Sequence, residues 1–225
     1  MANYSKFFNS SLGKKIQVAS TGIFLCLFLL LHLFNNLTLF VGPDIFNTMV
    51  GSLESIKPII RIMEVGLLII LIIHIFNTIS LTLYNKQASS DKYDVTPIET
   101  SSINSRAMIV SGSVILLFFI IHLRYFWYTY QIHAFEINET YYDVIMRNQF
   151  GYLGHTPTAI FYIIAILFIA SHLKHGFQSA LKTFGILETS KWQVLNSLSI
   201  LFWGIIPGLF ILIILSIQLE YIKWI

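Results

Sequence analysis

Five of the seven histidines lie inside long apolar runs: His32, His74, His122, His172 and His175. Imidazole ligates metals and titrates near neutral pH. Holding one at membrane depth is costly, so such a residue marks a functional site by default. His133 and His155 fall outside these runs or at their rims and read as interfacial residues. A lone membrane histidine is about as often a hydrogen-bond partner between helices. Four successive runs supplying one each form a different pattern, and depth sharpens it. If alternate runs cross in opposite directions, His32 and His122 fall in the outer halves of the first and third. His74 and His172 then fall in the inner halves of the second and fourth. Two levels result, each with two imidazoles from two helices. Two stacked bis-histidine haems require that arrangement, with an imidazole on each face of each iron. A single metal ion or a proton relay does not predict two matched pairs. His175, three residues after His172, competes with it for the fourth ligand position. Depth favours His172, which matches His74, and leaves His175 as a neighbour for a haem propionate or a quinone.

A second spacing repeats. Thr21-Gly22 precedes His32 by eleven and ten residues, and Ser111-Gly112 precedes His122 by the same intervals. Eleven residues make close to three helical turns, so each hydroxyl residue shares its histidine's face about 16 Å further inward. Small residues there leave room for the inner macrocycle. Gly66, eight residues before His74, is placed to relieve the outer level in the same way. Ordinary small-residue helix packing accounts for any one of these glycines equally well; the doubled spacing is what favours the cofactor.

The elements that must position these residues are membrane spans. Of 225 residues, 56% are hydrophobic and 11% are charged, against roughly 25% charged in an average soluble domain. One domain of this size cannot bury so much apolar surface internally, so lipid must cover the rest. About 20 apolar residues cross a bilayer as helix, and five stretches qualify: about 16–41, 58–84, 106–130, 157–183 and 196–220. The expected fold is therefore an all-α integral membrane protein, residues 1–225 forming one domain, with four of five transmembrane helices bundled around two stacked haems b. The first run is too long for a signal peptide and lacks a small-residue cleavage site. Residues 85–105 read as a loop, and 131–156 as a connector with room for a short interfacial helix. Pro207-Gly208 in the fifth run reads as a kink. Cys26, the only cysteine, excludes disulfides, CxxC zinc sites and iron–sulfur clusters held by this chain alone. The net charge of +3 is too small to suggest nucleic acid.

Positive charges set the expected direction. With the N-terminus cytoplasmic, the inner side collects nine: Lys6, Lys14, Lys15, Lys86, Lys92, Arg106, Lys174, Lys182 and Lys191. The outer side collects five: Lys57, Arg61, Arg124, Arg147 and Lys223. The excess favours N-terminus inside and C-terminus outside. Trp127, Tyr128, Tyr130, Trp192 and Trp224 lie near span ends, where aromatic belts sit.

Three segments together resemble a known family: KKIQVASTGIFLCLFLLLHLFNNL in the first run, SRAMIVSGSVILLFFIIHLRYFW in the third and SHLKHGFQSALKTFG closing the fourth. They are similar to the five-helix, di-haem cytochrome b subunit of succinate dehydrogenase and fumarate reductase. The resemblance implies haem pairing between the first and third helices and between the second and fourth. It matches His32 and His122 to the outer haem ligands and His74 and His172 to the inner ones, with His175 at a non-ligand position. It also implies a quinone substrate, usually menaquinone in this subfamily. Two soluble partners would dock on the cytoplasmic side of a bacterial inner membrane, a flavoprotein subunit and an iron–sulfur subunit. A dimer of the whole complex is left open. Ala170 and Ser171 stand before His172, so a proton route through a carboxylate there, as in some relatives, has no residue to use.

Electrons would then pass between the iron–sulfur partner, the inner haem, the outer haem and quinone. Quinone headgroups need hydrogen-bonding groups near the membrane edge, which makes Asn35, Asn36, Arg124 and Tyr125 candidates; interfacial anchoring explains them nearly as well. Lys14, Lys15 and Arg106 are the nearest cations for inner propionates, or simply positive-inside charges. The chain shows no flavin or dicarboxylate signature, so its enzymatic role is that of one subunit. Two alternatives differ in cofactor or partner: the haem b anchor of another respiratory oxidoreductase, and a haem-free proton-coupled transporter.

Overall fold

A computed structural model describes residues 2–88, 100–133, 135–186 and 192–222. They form α1 (Ala2–Asn9), α2 (Ser11–Leu37), α3 (Pro43–Ser55), α4 (Lys57–Ala88), α5 (Thr100–His122), α6 (Tyr128–Gln131), α7 (Tyr141–Met146), α8 (Thr156–Thr183), α9 (Trp192–Ile200) and α10 (Ile206–Gln218). A 3₁₀ turn, Thr38–Phe40, extends α2. Wide π-helical turns at Leu123–Trp127 and Leu201–Ile205 join α5 to α6 and α9 to α10. Among the described residues there is no strand.

Five stretches are long and apolar enough to cross a membrane: Ser11–Phe40, Lys57–Asn85, Ala107–Gln131, Thr156–Thr183 and Gln193–Gln218. The chain is on this ground a multi-pass membrane protein. The expected spans stand within three residues of these bounds except at the first, which starts five residues earlier because Ser10 caps it. The Ser10 hydroxyl accepts from the Gly13 amide at 3.1 Å, satisfying one of the free donors at a helix start. The expected 85–105 loop is shorter: α4 continues to Ala88 and α5 begins at Thr100. Ile62 and Phe76 on α4 are 75% and 69% exposed, which only lipid or a partner can cover favourably.

Two helices outside the spans were not expected. In α1, a Cβ at Gly13 would meet the Phe7 carbonyl oxygen at 2.1 Å, so glycine there lets α1 fold back on the first span. In α3, Pro43 opens the helix and Ile45, Phe46, Met49, Val50 and Leu53 recur on one side. The short interfacial helix expected between the third and fourth spans is α7, closed by a capping box between Thr140 and Asp143. At Pro207, which has no amide hydrogen to donate, the chain continues as helix through the wide turn before it.

The first span packs against the second and the fourth, and the fourth against the third and the fifth, which also touches the first. These contacts order the first four spans second, first, fourth, third, and the first also meets the third through His32 and His122. The end at which α2 begins and α8 finishes is called near; the end carrying α3 and α7 is called far. Of the cations counted for direction, Lys92, Lys191 and Lys223 lie outside the described residues, as does Trp224; side chains of Lys86, Arg106 and Trp192 are also outside them.

Candidate functional site: histidines paired at two depths

The near level is built from polar side chains on helices that are otherwise apolar. The Thr21 hydroxyl on α2 lies 3.0 Å from His74 Nδ1 on α4. The Ser111 hydroxyl on α5 lies 3.3 Å from His172 Nδ1 on α8. Each hydroxyl already faces carbonyls of its own helix: Thr21 donates to Gln17 at 2.7 Å or Val18 at 3.1 Å, and Ser111 donates to Met108 at 3.1 Å. The glycines beside these hydroxyls lie against the rings: a Cβ at Gly22 would sit 3.4 Å from His74 Cε1, and one at Gly112 4.0 Å from His172 Cε1, both ordinary contact distances. Asn77, buried one turn after His74, donates to Gln17 at 3.1 Å. Lys14 Nζ donates to Ser80 at 2.7 Å.

At the far level the surroundings are aromatic. The His32 and His122 rings face each other with centroids 5.8 Å apart and planes at 89°. His32 stacks on Phe28 at 5.7 Å and meets Phe210 at 5.7 Å. His122 stacks on Phe118 at 5.3 Å, with Phe126 at 5.3 Å and Tyr162 at 6.1 Å. Its Nδ1 is buried without a hydrogen-bond partner, a state that native proteins seldom leave unsatisfied. The wide turn Leu123–Trp127 follows His122 directly and rotates the rest of the span relative to it.

A connector fold closes the far end. Arg147 pairs with Glu139, and both side chains are about nine-tenths buried. The guanidinium holds the Glu139 carboxyl below the usual carboxylate range. Lys57 donates to Glu54 at 2.7 Å and Tyr141 donates to the same carboxylate, and these bonds hold Glu54 below its ordinary range. Burial first, and then Glu54, push the Tyr141 hydroxyl up to about 12. His133 Nε2 stands 3.3 Å from Glu54, and His155 Nδ1 2.9 Å from the Thr158 hydroxyl. Both therefore have interfacial partners, in keeping with their position in the sequence.

The residues considered for quinone do not converge. Asn36 donates to the His32 carbonyl at 2.7 Å, and Asn35 Oδ1 is buried without a partner. Arg124 lies over the rings of Tyr128 at 4.8 Å and Tyr125 at 5.7 Å. Tyr125 in turn packs edge-on against Phe150 and Tyr152. A far-end cavity of about 250 Å³ is lined by Met146, Asn148, Gly154, Thr156, Ile217 and Gln218 among others, and by none of the four candidates. Gly66 has no atom within 4 Å of where a Cβ would stand. Lys14 is engaged with Ser80, and Lys15 is exposed.

Sequence reasoning missed two things. Thr21 and Ser111 were assigned to making space, whereas each hydroxyl reaches an imidazole nitrogen on the neighbouring helix. Gln17 and Asn77 were not singled out, although Asn77 follows His74 by three residues and so shares its face.

Fold and site together define a five-span helical membrane protein whose first four spans carry histidines at two depths. Compared with protein-family models, with curated proteins and with solved structures, the chain matches none.

Proposed function

We propose that this chain is the membrane-anchor, di-haem cytochrome b subunit of a succinate:quinone oxidoreductase. In this reading it passes electrons between an iron–sulfur subunit on the near, cytoplasmic side and membrane quinone. The observation that carries it is the meeting of His32 and His122 from the first and third spans, with ring centres 5.8 Å apart, while the second and fourth spans carry His74 and His172 at another depth. These two imidazoles, His32 and His122, would hold one haem between them. The donor set also fits in kind: imidazole is a haem ligand, and His32 and His122 meet as a pair from two helices. The family named from the sequence supplies the partners, the quinone and the direction across the membrane.

Haem iron, when bound, supplies one-electron redox chemistry. The chain's own residues do the rest. His32 and His122 would hold the far group while Phe28, Phe118, Phe126 and Phe210 exclude water from it. His74 and His172 would hold the near group with Thr21 and Ser111 against their outer nitrogens. A different shell around the same ligand pair gives each level its own potential.

The test is a dithionite-reduced minus oxidised spectrum with haem quantitation on purified protein, comparing wild type with His32→Ala and His74→Ala. Two b-type haems in wild type are expected, with each substitution removing a different one. Folded wild-type protein without haem, purified from haem-replete cells, would overturn the reading and leave the histidines as packing or proton-relay residues. Copurified flavin and iron–sulfur proteins would then separate this anchor from those of other respiratory enzymes.

A further inference from the structure

We infer that Thr21 and Ser111 are positioning residues for the near pair: their hydroxyls fix the Nδ1-protonated tautomer of His74 and His172 and leave Nε2 bare as the ligand nitrogen. The inference deepens the proposed function and rests on it only for the identity of the ligand. It is carried by direction of donation. A hydroxyl has one hydrogen and two lone pairs. The Thr21 hydroxyl has the Gln17 and Val18 carbonyls to donate to and the Ser111 hydroxyl has the Met108 carbonyl, all on their own helices, and the hydrogens are taken to point there. Each oxygen can then only accept from the imidazole nitrogen 3.0 or 3.3 Å away. Both rings must therefore carry their proton on Nδ1, and the lone pair needed for a metal lies on Nε2. A second-shell acceptor on a ligating histidine fixes its tautomer and raises its basicity.

The placement couples the two levels. Thr21 sits on the helix that carries His32, and Ser111 on the helix that carries His122, each eleven residues earlier. The first and third spans thus offer a ligand to the far level and an acceptor to the near level, about 16 Å apart along the axis. Gly22 and Gly112 stand next to the two acceptors, each against the ring that its neighbour meets. No such acceptor reaches His122 Nδ1, which is unpartnered. The hydrogen bonds should therefore stabilise the oxidised near iron selectively, and their loss should raise the near potential.

The experiment compares full-length wild type with Thr21→Val, Thr21→Ser and Ser111→Ala in purified form. Haem content is measured first, followed by potentiometric titration of the α-band and the low-temperature electron paramagnetic resonance spectrum. Thr21→Val keeps the branched shape and removes the acceptor. It is expected to retain the far component unchanged and to move the near component to more positive potential. The shift is at most about tenfold in the reduced-to-oxidised ratio at fixed potential, which is about 59 mV for a one-electron couple. Ser111→Ala should move the same component, and Thr21→Ser should restore wild-type behaviour. Loss of the near haem alone from Thr21→Val, with retention in Thr21→Ser, would support the same dependence. An unmoved near component, equal movement of both, or a Thr21→Ser protein that behaves like Thr21→Val would overturn it. Nitrogen-15 spectra of histidine-labelled protein separate this outcome from failure of the haem reading. In haem-free protein, Nδ1-protonated His74 in wild type that loses its fixed tautomer in Thr21→Val sustains the positioning role. An identical tautomer mixture in both would sink it.

Discussion

The two levels use the same side chain in opposite surroundings. Around His74 and His172 the neighbouring helices present hydroxyls, with an amide pair close by. Around His32 and His122 they present phenyl rings. An imidazole orients by hydrogen bonding in the first case and by stacking in the second. Hydrogen bonds fix which nitrogen carries the proton, whereas stacking fixes only the ring plane. The near pair is thus specified in tautomer and the far pair in geometry alone. Identical ligands placed in such different shells acquire different electronic properties without any change in the metal or its first coordination sphere.

The contrast is broken most completely by removing a ligand. His172→Ala should abolish the near spectral component and leave the far one, whereas His175→Ala should leave both in place. Haem content per protein, measured on the purified variants, reports the difference as a loss of about half against no loss. Equal loss in the two variants would mean that His175, not Ser111, holds His172 in position. The reverse result would move the ligand to His175.

Much of this was legible before any coordinates. Five apolar runs gave five spans because continuous hydrophobicity over about 20 residues has only one solution in lipid. Depth along each run placed His32 opposite His122. Position within a helix says which face a residue shares, so Thr21 was correctly put on the face of His32; it does not say which neighbour that face meets at another depth. The role of Thr21 toward His74 therefore required knowing that the first span packs on the second. Helix α3 was missed for a different reason: thirteen residues with only one apolar side are too short and too polar to register as a span. The scatter of Asn35, Asn36, Arg124 and Tyr125 shows the limit of choosing hydrogen-bonding residues by depth alone. Arg124 and Tyr125 are consecutive, yet Tyr125 turns into the aromatic cluster that covers the far end.

Crowding at the near glycines sharpens the contrast more gently. A Cβ at Gly22 would stand 3.4 Å from His74 Cε1, close to the limit of ordinary contact, and one at Gly112 4.0 Å from His172 Cε1. Alanine should be accommodated at both positions. Valine carries two further methyl groups at that distance, and overpacking of this kind typically costs about 1–3 kcal/mol. Gly22→Val should displace the His74 ring from Thr21 and alter the near spectral component, Gly112→Val should do so less, and neither should change the far one. Gly66→Val, which meets open space, serves as the control and should change neither. A larger effect at Gly112 than at Gly22 would contradict the order of these distances.

Acid provides the smallest perturbation and works from the opposite end. All four ion pairs among the described residues, Lys57–Glu54, Arg61–Glu64, His133–Glu54 and Arg147–Glu139, lie at the far end. Hydrogen bonds from Arg147 to Glu139, and from Lys57 and Tyr141 to Glu54, hold both carboxyls below their ordinary range in the folded chain. A carboxyl whose folded pKa is depressed contributes stability above its unfolded value, and that contribution is lost as pH falls through the folded value. The contribution is therefore complete at neutral pH and declines below about pH 4. Over that interval the far component should lose its native spectrum before the near one, whose surroundings are neutral hydroxyls and amides. Arg147→Met should bring the loss to higher pH, because it removes the cation that depresses Glu139 and leaves that carboxylate buried without it. Absorbance recorded during acid titration of wild type and Arg147→Met checks the order. Loss of the near component first would mean that the two levels are not separately supported, and that the connector at the far end is a cover rather than a clamp.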